Sequence, residues 1–109
     1  LEFTGNMLDT RGYLHYRAGN LLEARLDMHR ATAIIDAVCD SYEWRLEETR
    51  HMVIDPRLME RNRRTALHAK AVIYYHQMLV HSALGMDEEA AQDRATVIEL
   101  SYEPDEHLF

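Results

Sequence analysis

Apolar residues recur along this chain at steps of three and four. Ala24, Met28, Ala31, Ile35, Val38, Tyr42 and Leu46 form one run, and Leu58, Thr65, Ala69, Val72, His76, Leu79 and Ala83 form a rougher second one. Steps of that size lay a single stripe along an α-helix. The first run leaves Arg25, Asp27, Arg30 and Asp36 off the stripe. Strand-like alternation is absent, so the pattern predicts an all-α chain.

Stop and start residues divide the helices. A first helix is expected from about residue 6 to 17, ending at Gly19, a residue type that readily takes the left-handed conformation just past a helix. A second starts after Asn20, where Glu23 three residues on approximates a capping box. Neither Gly nor Pro occurs between residues 21 and 53. Asp55-Pro56 is a restart, since Asp caps and Pro fits the first turn. Gly85 ends that helix, and Asp87 opens another with Glu88 and Glu89 suited to its N-terminal dipole. Pro104 closes the last. Gly19 and Gly85 then mark hairpin turns, each followed five residues later by an alanine, Ala24 and Ala90.

Two helix–turn–helix units with matching turns call for a repeat comparison. In the first, Leu8 and Gly12 give a bulky residue and a small one four later, and Ala24, Met28 and Ala31 give small, large and small at steps of four and three. On these residues the unit resembles a tetratricopeptide repeat, and its "LDTRG" opening looks like many bacterial repeats of that type. Arg11, His15 and Asp36 stand where the family has Leu, Tyr and Pro. In the second unit Tyr74, Gly85 and Ala90 match and His81 falls where His15 did, while Met78 and Arg94 depart. Slipping the last helix by one residue gives Ala91, Ala95, Ile98 and Tyr102, a better apolar stripe.

The units span about residues 5–38 and 71–104. Between them lies either a third, degenerate repeat, for which Asp40 and Glu43 offer a capping box, or a stretched central hairpin. The second is favoured, because "ALHAKAVIYY" holds nothing to stop a helix. It would add about 16 residues to each side, a projection of about 24 Å. The resemblance implies one domain over residues 1–109: a short α-helical solenoid of antiparallel hairpins, with a long central hairpin.

Composition narrows the function classes. The 109 residues carry a formal net charge of −7, which disfavours non-specific binding to nucleic acid or anionic lipid. No uninterrupted apolar run is long enough to span a bilayer, so membrane insertion is not expected. The charge is uneven. Residues 45–70 hold seven of the twelve basic side chains, and residues 87–109 hold eight acids with only Arg94. Either these are two solvated faces, or Arg57, Arg61, Arg63 and Arg64 form a basic patch. Such a patch would dock an acidic partner or the acidic end of a neighbouring copy. RNA binding by the same arginines is a weaker alternative, given the overall acidity. Cys39 is the only cysteine, which excludes an intramolecular disulfide and fits a reducing, cytoplasmic setting. The chain shows no charged-then-apolar leader.

Reaction chemistry finds little footing. Seven histidines suggest metal, and Glu48 and His51 share a helical face, as in carboxylate-bridged di-iron bundles. A second such motif is missing, and His76 and His81 point to different sides, so neither metal nor cofactor is expected. Cys39 sits on the apolar face, and Ser41, Ser82 and Ser101 lack a nucleophile-elbow context. No Gly-rich phosphate loop is present. A non-enzymatic protein–protein scaffold or adaptor is the expectation. Solenoids of this kind bind ligands on an inner face, which here would carry Tyr13, Tyr16, Arg17, Tyr74 and His81. Of Tyr74 and Tyr75, one should leave the core, being about 100° apart. Self-association through the central hairpin is the alternative.

Overall fold

A computed structural model describes the backbone of residues 2–49 and 55–100 and the side chains of residues 4–44 and 55–100. Four helices follow one another: α1 (Glu2–Arg17), α2 (Leu21–Thr49), α3 (Pro56–Ala83) and α4 (Asp87–Glu99). No strand occurs among the described residues. α1 begins four residues before the expected start. Gly5 does not break it, because that glycine faces α2 closely: a Cβ there would lie 3.2 Å from Ile34 Cγ2.

The two glycine turns are built alike. Gly19 and Gly85 have φ of +84° and +74°. The Gly19 N–H donates to the Tyr16 carbonyl and the Asn20 N–H to that of His15, at 3.1 and 2.8 Å. The Gly85 and Met86 N–H groups repeat this pattern on Ser82 and His81, again at 3.1 and 2.8 Å. This is a Schellman ending, which satisfies carbonyls that the helix end would orphan. At the third start, Asp55 Oδ1 accepts the Arg57 N–H at 2.9 Å, and Pro56 occupies the first helical position.

α2 runs unbroken through residue 39 and α3 through residue 69, so Asp40 lies inside a helix and opens none. The central segment is two long helices of 29 and 28 residues. Antiparallel pairing follows from contacts whose numbers shift in opposite directions: Thr32 with Gln77, Asp36 with Tyr74, Glu43 with Arg63. α1 lies on α2 and touches α3, and α4 lies on α3.

One apolar cluster joins Ala31, Ile35, Val38 and Cys39 of α2 to Ala66 and Ile73 of α3, with Leu8 of α1 against it. A second, nearer the glycine turns, joins Ala24 and Met28 to Val80, with Tyr13 and Tyr16 packed on it. Ala24, Met28 and Ala31 are fully buried, and Gly12 is buried beside them.

The last helix does not follow the slipped register. Asp93 and Val97 face inward, while Ala91, Ala95 and Ile98 face solvent; Tyr102 lies outside the described residues. The reason is polar: turning Asp93 inward satisfies Gln77 and His81 of α3.

Helix lengths leave part of the hairpin uncovered. α1 and α4 reach only about 24 and 20 Å along partners about 44 and 42 Å long. The distal stretches of α2 and α3 therefore form a two-helix arm.

The tight crossing of α1 over α2 makes Gly12 sensitive. A Cβ there would sit 2.9 Å from Met28 Cε and 3.0 Å from Asp27 Cβ. Gly12→Val should destabilise the chain by about 1–3 kcal/mol, read as a lower urea midpoint. Unchanged stability would show that the crossing tolerates a branched side chain.

Candidate functional site

Burying a polar side chain is costly unless it finds a partner. α3 supplies the partners for an inner polar seam. Gln77 Nε2 donates to Asp93 Oδ1 at 2.8 Å, and the Thr32 hydroxyl reaches Gln77 Oε1 at 3.4 Å. His81 Nδ1 lies 2.6 Å from Asp93 Oδ2. One turn along α3, His76 Nδ1 lies 2.8 Å from Asp9 Oδ1 of α1. The Tyr13 ring stacks on His76, with centroids 4.3 Å apart. Each flanking helix is thus fastened to α3 by an imidazole–carboxylate contact, buried at His76–Asp9 and part-buried at His81–Asp93.

The residues expected to line an inner groove are divided by this arrangement. Tyr13, Tyr16 and Arg17 come together at the α1–α2 turn: the two rings stack at 5.8 Å, and the Tyr13 hydroxyl holds the exposed Arg17 in its charged form. His81 is turned inward onto Asp93. Tyr74 sits elsewhere, donating its hydroxyl to Asp36 Oδ2 at 2.8 Å, with Lys70 Nζ 3.3 Å from the other carboxylate oxygen. Burial, followed by that hydrogen bond, pushes the Tyr74 hydroxyl far above its ordinary value. Tyr75 is the buried member of the tyrosine pair and Tyr74 the half-buried one.

Two departures from the repeat pattern answer to tertiary partners. Arg11 grips the buried Asp27 with Nε and Nη2 at 2.8 and 2.7 Å, a bidentate geometry. Asp36 accepts the Tyr74 hydroxyl and forms an ion pair with Lys70. Asp9, Thr32, Gln77 and Asp93 are buried polar residues that sequence reasoning passed over, and Asp27, expected off the apolar stripe, is buried as well because Arg11 pairs with it. Their one visible trace was His76, a polar residue lying in an apolar stripe.

The basic patch also divides. Arg63 turns toward α2, its Nε 2.6 Å from Glu43 Oε1, and also meets Glu60. Arg57, Arg61 and Arg64 are exposed at steps of four and three on one face of α3. With Pro56, Glu60 and Thr65 they line a concavity of about 530 Å³. On the same arm Leu58 is 55% exposed and Trp44, the chain's one tryptophan, is 65% exposed. Among the described residues no three His, Cys, Asp or Glu side chains converge as a metal ion would need. Glu48 and His51 lie outside the described residues. No described helix is long and apolar enough to cross a membrane.

Asp27 and Asp93 carry opposite pH signatures. The Arg11 hydrogen bond holds Asp27 below the usual carboxylate range, so its contribution is present above the ordinary value and is lost as pH falls through the lowered one. Burial lifts Asp93 above that range against the pull of Gln77 and His81, so the native state binds the extra proton and stability declines as pH rises through the window. Asp93→Asn should flatten the decline above about pH 4, and Asp27→Asn should flatten the acid-side loss below it. Urea unfolding across a pH series reads both slopes, and unchanged slopes would refute the assignment.

Comparison with protein-family models, with curated proteins and with solved structures finds no match to this chain.

Proposed function

We propose that this chain is a non-enzymatic, tetratricopeptide-like helical module that binds a protein partner as a scaffold or adaptor. The docking surface in this reading is the distal arm of the α2/α3 hairpin, and the partner segment is acidic. The observation that carries it is the exposed row of Arg57, Arg61 and Arg64 on a stretch of α3 that α4 is too short to cover.

Several features support the arm over the inner face. His81 and Tyr74 are held by carboxylates, and Tyr13 by His76, so using them for a ligand would mean breaking existing contacts. Among the described residues, Arg57, Arg61 and Arg64 have no such ties apart from a 3.4 Å approach of Arg64 to Glu60. Leu58 and Trp44 add apolar area, and arginine with an aromatic side chain is the usual composition of a binding hot spot. The two long helices hold this surface without help from a ligand, which keeps the ordering cost on the receptor side small. The non-enzymatic reading rests on the engagement of both imidazoles by carboxylates, with His76–Asp9 buried and His81–Asp93 part-buried.

Selection of binders from a displayed peptide library tests this. Glu- and Asp-rich sequences should be enriched, and a synthesised binder should shift Trp44 emission and weaken as salt rises. Combined Arg57→Ala, Arg61→Ala and Arg64→Ala substitutions should weaken binding by about tenfold or more. Binders indifferent to these substitutions would overturn the proposal.

A further inference from the structure

One face of α3 changes from buried to basic along its length. Arg57, Arg61 and Arg64 recur at steps of four and three, and steps of seven and four continue that line to Ala71 and Tyr75. Ala71 and Tyr75 are buried, whereas the three arginines are exposed. The change falls where α4 stops. From the Gly85 turn α4 runs antiparallel to α3, and its Asp93 meets Gln77 and His81. Six residues further on, Glu99 comes level with the stretch from Ala71 to Tyr75, and the helix axis there is directed toward the arginines. The sequence that follows is acidic: residues 101–109, which lie outside the described residues, hold Glu103, Asp105 and Glu106 and no lysine or arginine.

We propose that the acidic segment 101–109 folds back along α3 and docks on Arg57, Arg61 and Arg64 of the same chain, so that an acidic partner must displace it. The inference rests on the arm reading given above and supplies the regulation of that surface. Charge is complementary after the arm's own acids are counted. Residues 55–65 carry four arginines against Asp55 and Glu60, and residues 45–54 carry Arg45 and Arg50 against Glu47 and Glu48. Asp55 caps α3 through the Arg57 N–H, and Glu60 is shared between Arg63 and Arg64. Lengths agree as well. Along α3, Arg64 and Arg57 lie about 10 and 21 Å before Ala71. An extended chain carries Glu103 and Glu106 about 13 and 23 Å beyond Glu99, and Pro104 disfavours helix at Glu103, which suits that path. Exposed ion pairs are individually weak, but the tether presents these acids at an effective concentration of the order of millimolar. Tethering is what selects this segment over the acids of another copy.

Two readouts on the full chain test the contact and the masking separately. In the first, backbone amide shifts of residues 103–109 are followed by NMR. Combined Arg57→Ala, Arg61→Ala and Arg64→Ala substitutions should move them to random-coil values, as should added salt. Exchanging the charges, with Glu at the three arginine positions and Arg at Glu103, Asp105 and Glu106, should restore the displaced shifts. Amides indifferent to the arm substitutions would overturn the proposal, and so would shifts that fade on dilution, which would place the contact between copies. In the second, a labelled octaglutamate peptide is titrated onto wild type and onto a chain with Glu103→Gln, Asp105→Asn and Glu106→Gln. The neutralised chain should bind it about tenfold more tightly. Equal binding to both chains would overturn the masking while leaving the arm a site for acidic partners. Arm-dependent amides with no octaglutamate binding to either chain would support the contact and refute the partner reading instead.

Discussion

Where α1 crosses α2, the separation is set by a missing side chain. Gly12 lies against Met28, Asp27 and the Ala24 carbonyl, leaving no room for a Cβ without movement. Much else follows from that approach. Met28 and Ala31 become fully buried, and Asp27 is drawn into a place where a lone carboxylate would be costly. Arg11, one position before the glycine, reaches across to meet it. The same rotation of α1 points Asp9 and Tyr13 at α3, where His76 receives both.

Three buried carboxylates then organise the polar interior in three ways. Asp27 has a guanidinium in bidentate contact, and its charge is stabilised. Asp9 meets a single imidazole. Asp93 has an amide and an imidazole, and burial outweighs them, so its neutral form is favoured relative to water. Breaking any of these contacts leaves an unpaired polar group inside, which is more costly than the contact is stabilising. The seam therefore fixes the orientation of α1 and α4 on α3 more than it adds to net stability. That fixed orientation leaves the distal arm uncovered by either flanking helix.

By itself the sequence determined the local elements. The three-and-four spacing gave helices, Gly19 and Gly85 gave the turns, and Asp55-Pro56 gave the third start, because each of these depends on neighbours within a few residues. Gly12, Ala24 and Ala31 were legible too, since small side chains at those steps have a packing use on one helix pair. Tertiary structure alone decided which face of α4 turns inward, which of Tyr74 and Tyr75 is buried, and that His81 meets Asp93. It also separated Arg63 from its neighbours by way of Glu43. The partners in these choices lie far apart in the chain: 67 residues for His76 and Asp9, 45 for Thr32 and Gln77, 38 for Tyr74 and Asp36. α4, with usable apolar residues on two sides, is undecided by periodicity. Only the polar groups of the helix it lies on, which must be satisfied once water is excluded, select one side.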